Sequence, residues 1–298
     1  MDAARFQEPR RRRVAIDNRW GRGEVALLDF GDPDRPIDLL FLHANGFNAL
    51  TYRSLLAPLA ASLRIVVPDL RGHGATDLPA DPGGRRAWTD LRDDLVSLLD
   101  ALDGPPAVVA GHSMGGTVAL LAAAQRPDRI ASLVLLDPVI WPRLPATLLR
   151  LPVLARMAER NPLTAGARRR RAVFDSRHAA MASYRGRGPF AGWPDAALAD
   201  YVAGGFVERP EGGVALACAP AWEANNYAAQ ANDAWGALRR SRQAVTILKA
   251  GAGSTCAVGQ REAARRPGLE VRTVEGGGHF FPMTHAEAAR EALLDAAA

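Results

Sequence analysis

By its apolar and polar positions the chain divides into three parts. Through residue 137, short β-rich runs alternate with helical stretches, the pattern of βαβ units and a parallel sheet. RVAID (13–17) and EVALLDF (24–30) are spaced as a hairpin. IDLLFLHA (37–44) is nearly continuous apolar text, as a strand buried on both faces requires. Tyr52, Leu55, Leu56 and Leu59 fall on one helical face, which predicts a helix after that strand. RIVVPD (64–69), PAVVAG (106–111) and IASLVLLD (130–137) read as further strands, with helices over 88–102 and 117–124 between them. From residue 138 to about 240 the alternation stops, and the text is helical and loop-like with no clear buried strand. AVTILKA (244–250) and LEVRTVEG (269–276) resume the strands, and a helix over 285–296 closes the chain. The expected architecture is α/β, a mostly parallel eight-stranded sheet flanked by helices. Residues 1–137 and 241–298 would form the core domain, and 138–240 a mainly helical cap inserted after the sixth strand.

GHSMGG (111–116) stands between a predicted strand and a predicted helix. A nucleophilic serine needs an exposed Oγ, a nearby base and donors for an oxyanion. A sharp strand-to-helix turn lifts the side chain above the sheet end, and its tightness demands small residues two positions before and after, here Gly111 and Gly115. The following helix also aims its N-terminal N–H groups at Ser113. The bland alternative is a glycine-rich turn with an incidental serine.

Four stretches, taken in order, resemble the α/β-hydrolase superfamily, and the likeness covers nearly the whole chain. GHSMGG resembles the nucleophile elbow, and FLHANGFNALTYRSLL (41–56) the His-Gly segment after the third strand. VVPDLRGHGATD (66–77) resembles the loop after the fourth strand, and GGGHFFPMTHAEAA (276–289) the segment carrying the catalytic histidine. The resemblance implies a serine hydrolase of esterase or lactonase type with a helical cap and Ser113 as nucleophile. It also implies an oxyanion hole made by the backbone N–H groups of Met114 and Asn45. His43-Ala44-Asn45 stands where the family writes His-Gly-x, so Phe47 is the alternative donor.

Among six histidines, His279 lies in a loop freed by the glycines at 276–278, just past the last strand, and is the expected general base. His43 and His73 are expected to stabilise their loops, and the His112 side chain to leave the elbow in another direction. His178 falls in the cap, and His285 at the exposed start of the last helix. The acid is harder to place. Its usual family position, after the seventh strand, reads KAGAGSTCAVGQR (249–261) and contains no carboxylate. A family variant places it after the sixth strand, where this chain has Asp137. Glu275, Glu262 and a serine–histidine dyad helped by Ser254 or Thr255 are the alternatives. Asp69 is expected to cap the N–H groups of its own loop, and Asp90, Asp93 and Asp94 to form a solvated helix face. Cys256 is expected to be a packed residue.

Composition narrows the reading. A chain of 298 residues, 48% hydrophobic and 23% charged, can bury a large core. The net charge of +5 raises the question of nucleic acid. The densest arginine runs, 10–13 and 168–171, lack interleaved aromatics, so both read as solvated faces and no nucleic-acid partner is expected. Cys218 and Cys256 offer neither a disulfide framework nor metal-ligand spacing. No apolar stretch follows the N-terminal basic run and no long apolar window occurs, so the expected location is cytoplasmic, with no membrane partner. No metal or cofactor is expected. The expected partner is a small, partly apolar ester or lactone, with Phe47, His112, Trp141 and Trp222 as candidate contacts. Thioester or carbon–carbon bond cleavage by the same triad is the alternative, and a non-catalytic ligand-binding protein is the reading from another class.

Overall fold

The computed structural model describes residues 8–151 and 160–298. The first seven residues of the expected core domain, with the start of the basic N-terminal segment, and residues 152–159 of the expected cap lie outside the described residues. β1 (Arg10–Asn18) and β2 (Gly21–Phe30) form the hairpin read from the sequence, with Arg10 opposite Asp29. β3 (Leu39–Leu42), β4 (Ile65–Pro68), β5 (Ala107–His112) and β6 (Ile130–Leu136) follow. Then come the short strands β7 (Val173–Phe174), β8 (Phe206–Glu208) and β9 (Val214–Leu216), and finally β10 (Ala244–Ala250) and β11 (Leu269–Val274). Eight strands make one sheet in the order β1-β2-β4-β3-β5-β6-β10-β11. β2 pairs antiparallel with β1 and β4, and the remaining neighbours pair parallel. This is the mostly parallel sheet that the alternation predicts.

Side-chain alternation splits the strands between two cores. Leu40, Leu42, Val109, Leu133, Leu135 and Ile247 join the helices Thr89–Ala101 and Met114–Ala123 on one face. Leu39, Phe41, Val108, Ala110, Val134 and Leu136 join the helix Ala286–Ala297 on the other. Because six strands run parallel, their C-terminal ends, and the loops that leave them, share one edge of the sheet.

Three local readings need correction. The helix expected over 52–59 is interrupted into a 3₁₀ turn (Ala49–Tyr52), one α turn (Arg53–Leu56) and a second 3₁₀ turn (Ala57–Ala61). Pro58 has no N–H to give and its ring crowds the carbonyl one turn back, so a regular helix cannot pass through it. The segment after β6 is mainly helical but also holds an antiparallel sheet, β7-β9-β8. Strands of two or three residues carry too little alternation to be read. Asp90 and Asp94 are buried, not solvated: Arg85 Nε reaches Asp90 at 2.6 Å and Arg71 Nε reaches Asp94 at 2.7 Å.

The basic runs are also partly internal. Arg10 and Arg12 converge on the buried Asp29 at 2.8 and 2.9 Å, where Arg64 joins them. Arg170 turns inward to pair with Glu223 at 2.6 Å. Among the described residues, no helix is long and apolar enough to cross a membrane.

Candidate active site

β5 ends at His112 and the next helix starts at Met114, which leaves Ser113 to make the turn alone at φ 55° and ψ −117°. A non-glycine residue there stores about 1–3 kcal/mol of strain. Its neighbours hold it: Ser113 N–H donates to Leu136 O at 2.9 Å, and Ser113 O accepts Thr117 N–H at 3.1 Å. The flanking glycines are a matter of space. A Cβ on Gly111 would stand 2.5 Å from the Gly115 carbonyl carbon, and one on Gly115 would stand 2.4 Å from Leu42 O. Every residue of the helix Met114–Ala123 is buried, so the turn rests on an element anchored in the core.

His279 Nε2 lies 3.0 Å from Ser113 Oγ, and His279 Nδ1 lies 2.6 Å from Asp137 Oδ2. Asp137 directly follows β6 and has φ 42°, with its N–H given to Leu248 O at 2.7 Å. Its Oδ1 accepts Ala250 N–H (3.0 Å) and Ser254 O–H (2.5 Å). Its Oδ2 accepts Thr255 N–H (3.1 Å) as well as the imidazole, and its backbone carbonyl accepts Thr255 O–H (2.9 Å). Burial works to raise the Asp137 pKa, but the hydrogen bonds from His279, Ser254 and Ala250 outweigh it and hold the carboxyl at about 2. Ionised Asp137 can only accept, so the proton of His279 sits on Nδ1 and the Nε2 lone pair faces the serine hydroxyl. The loop after β10, which has no carboxylate, supplies donors to the carboxylate at the end of β6. Glu275 is exposed, and Glu262 accepts Gly259 N–H at 3.2 Å; neither is among the partners of His279.

The loop after β3 is pinned by rings. His43 Nε2 accepts Leu70 N–H at 2.9 Å and His73 Nε2 accepts Gly46 N–H at 3.1 Å. Their other nitrogens donate to Ala44 O at 2.8 Å and Arg71 O at 3.0 Å. Burial pushes both imidazoles below their ordinary range, His73 to about 4, so they stay neutral. Asp69 accepts Ala75 N–H from its own loop and Ala49 N–H from the loop after β3, both at 2.8 Å. Burial raises its carboxyl to about 6 despite these two donors.

Within this loop Ala44 N–H goes to Tyr52 OH at 3.1 Å and Phe47 N–H to Ala44 O at 3.2 Å. That leaves Asn45 N–H without an acceptor among the described residues. Met114 N–H, at the first helical position, has no carbonyl one turn back in its helix. The Asn45 side chain is fixed from outside: its Nδ2 donates to Glu223 O at 3.0 Å and its Oδ1 accepts Asn226 Nδ2 at 2.9 Å. Both partners lie on the helix Pro220–Ala228, and no motif in the sequence marks them.

The four candidate substrate contacts separate. The Phe47 ring packs against Trp193, Tyr201 and Phe280, with centroids 5.4, 5.6 and 5.7 Å away, and Phe280 lies 5.1 Å from the His279 ring. His112 has both ring nitrogens engaged, by Tyr52 OH at 2.7 Å and His279 O at 2.8 Å. Trp222 is buried, donates to Arg71 O at 2.9 Å and carries the Arg85 guanidinium 4.0 Å from its ring. Trp141 is 41% exposed and donates to Gln230 Oε1 at 2.9 Å. No motif sets Trp193, Tyr201 and Phe280 apart in the sequence: the first two lie in an irregular segment with no period that tells lining from packing, and Phe280 simply follows His279. His178 and His285 are exposed. Burial pushes the Cys256 thiol up to about 12, which suits a packed residue. Among the described residues, no group of three or more His, Cys, Asp or Glu could hold a metal ion.

Comparisons with known proteins bear on the family and the fold. The chain is 37% identical over 117 residues to the magnesium-chelatase 30 kDa subunit of Rhodobacter capsulatus, a match covering 39% of this chain and 38% of that protein. It is 39% identical over 110 residues to lipase LipV of Mycobacterium tuberculosis, covering 36% and 40% respectively. The chain thus matches about two fifths of the length of these curated relatives. Across nearly the whole fold it superposes on an E-2-(acetamidomethylene)succinate hydrolase with a TM-score of 0.77, at 24% identity, covering 96% of this chain and 98% of the other. The model of the alpha/beta hydrolase family matches residues 39–293, a span that takes in the elbow, the loop after β3 and the His279 segment. With that span matched and the sheet and elbow in place, the chain belongs to the alpha/beta hydrolase family.

Proposed function

We propose that the protein is a serine hydrolase that cleaves a carboxylic ester or lactone of a small, partly apolar substrate through an acyl-serine intermediate. The observation that carries this reading is the unbroken hydrogen-bond chain Ser113–His279–Asp137. The reading is supported by the backbone N–H groups of Met114, next to Ser113, and of Asn45, neither of which has a partner among the described residues. In the proposed reaction Ser113 Oγ attacks the carbonyl carbon while His279 Nε2 takes the hydroxyl proton. Met114 N–H and Asn45 N–H hold the oxyanion, each worth about 3–4 kcal/mol in the transition state. Collapse breaks the bond to the leaving alcohol, which His279 protonates. Water, deprotonated by His279, then attacks the acyl-serine, and collapse releases the acid while His279 returns the proton to Ser113 Oγ. Asp137 offsets the imidazolium charge in both halves.

A serine at the elbow argues against attack on epoxides or haloalkanes through an ester to an enzyme carboxylate. Thioesters, and carbon–carbon bonds next to a carbonyl, present the same electrophile and belong in the substrate screen. We also propose that the segment 138–240 caps the site. Its aromatics beside Phe47 and Phe280 favour apolar bulk in the substrate.

The test is p-nitrophenyl butyrate hydrolysis by the wild type beside Ser113→Ala, with folding of both checked by circular dichroism. Loss of Ser113 is expected to lower kcat by about 10⁵–10⁶-fold. An inactive wild type that a fluorophosphonate also fails to label would replace this reading with that of a ligand-binding protein.

A further inference from the structure

We propose that Tyr52 and His112 are positioning residues that tie the oxyanion loop to the backbone of His279 through one directed hydrogen-bond chain. The proposal rests on the serine-hydrolase reading above. Both side chains are fully buried, and neither touches Ser113 Oγ or the imidazole nitrogens of His279 through a hydrogen bond.

The direction of the chain follows from what each atom can do. His112 Nε2 lies 2.8 Å from His279 O, and a carbonyl only accepts, so Nε2 carries a proton. Burial, with His279 beside it, pushes the His112 pKa down to about 3, so the ring holds a single proton at neutral pH. Nδ1 is therefore an acceptor, and the Tyr52 hydroxyl 2.7 Å away must donate to it. The Tyr52 oxygen is then left to accept Ala44 N–H at 3.1 Å. Read in order, Ala44 N–H donates to Tyr52 OH, Tyr52 O–H donates to His112 Nδ1, and His112 Nε2–H donates to His279 C=O. Reversing the middle bond would set an unprotonated Nε2 against the carbonyl, a buried conflict with no solvent to relieve it.

The two ends of the chain matter for the reaction. Ala44 immediately precedes Asn45, whose N–H is the proposed oxyanion donor, and His279 is the proposed base. The oxyanion loop and the His279 loop leave different strands, β3 and β11, and the chain fixes one against the other. His43 and His73, by contrast, have the opposite tautomer, with protonated Nδ1, and bind only the backbone of the loops after β3 and β4. A misplacement of about 1 Å in such a constellation can cost on the order of 10² in rate.

Three variants test this, with rates expressed per fluorophosphonate-titrated site. Tyr52→Phe keeps the ring and removes the hydroxyl. His112→Asn can still reach Tyr52 but is too short for the His279 carbonyl. His112→Gln can place an amide N–H where Nε2–H stood. Tyr52→Phe and His112→Asn are expected to lower kcat per site by about 10–100-fold with KM within about threefold, and His112→Gln to recover most of the His112→Asn loss. A merely structural role would lower the number of titrated sites and leave kcat per site unchanged, and that result would overturn the proposal. So would ¹⁵N NMR of the wild type finding His112 protonated on Nδ1 at neutral pH. A wild type that fluorophosphonate does not label would sink the serine-hydrolase reading instead, and the NMR tautomer would still decide whether the chain exists.

Discussion

The sheet edge that carries Ser113 and the segment after β6 are held by different forces. At the sheet edge, backbone groups and short side chains do the holding: Asp137 receives five hydrogen bonds, and three neutral imidazoles fix the surrounding loops. In the segment after β6, rings do much of it. Tyr184, Phe190, Trp193 and Tyr201 pack in tilted and edge-to-face contacts with centroids 4.8–6.4 Å apart. Directional bonds place single atoms to fractions of an ångström, whereas ring packing fixes volume and shape and tolerates exchange. On the proposed function, the first region sets the reaction and the second sets what may enter.

The strongest way to break that division is at Asp137. Asp137→Asn is expected to lower kcat by about 10⁴-fold with the fold intact, because the amide can stabilise the wrong His279 tautomer. Activity near wild type would pass the acid role to Glu275, Glu262 or a dyad. The same carboxyl gives a stability signature. Its folded pKa, about 2, lies below the ordinary 3.8, so its contribution is present above pH 4 and is lost as pH falls through 2. The contribution is about 2 kcal/mol. The melting-temperature gap between wild type and Asp137→Asn should therefore shrink between pH 4 and pH 2.

The same division explains what could be read in the sequence. The sheet-edge loops are legible because their chemistry is local: a serine between two required glycines, a histidine after three glycines and an aspartate ending a strand. The serine and the histidine need only neighbours in the chain, whereas the aspartate is reached through the resemblance to a family variant, with Glu275 and Glu262 left open beside it. The clamp of Asn45 by Glu223 and Asn226 is not legible, since those residues lie 178 and 181 positions away and no spacing connects them. Asp90 and Asp94 misled for the same reason: their helix pattern reads as solvated, and only the fold brings Arg85 and Arg71 over it. His112 stands beside the serine in plain view, yet its duty is set by Tyr52, 60 positions before it.

Gly46→Ala tests where the two regions touch. Gly46 has φ +73°, and a Cβ there would come within 2.7 Å of Glu223 Oε1, in the carboxylate that pairs with Arg170. The substitution should displace Asn45 N–H and lower kcat by about 10²-fold, the scale of losing one oxyanion donor, while KM changes little. A change confined to KM would mean that the loop contributes binding and no transition-state contact.

The smallest effects separate lining from packing within the aromatic set. Phe47→Leu keeps an apolar side chain but remodels the wall formed with Trp193 and Phe280. It should shift the ratio of kcat/KM for p-nitrophenyl hexanoate over acetate by about tenfold, the size of one or two methylene groups' worth of discrimination. Trp141→Phe should leave that ratio within about twofold and stability within about 0.5 kcal/mol. Its ring is 41% exposed, and the substitution removes a single hydrogen bond to Gln230. Equal shifts in the two variants would show that an exposed ring of the segment senses substrate as strongly as a buried one beside His279. The wall of the site would then extend well past Phe47, and the ring packing would have to be counted as part of the catalytic geometry.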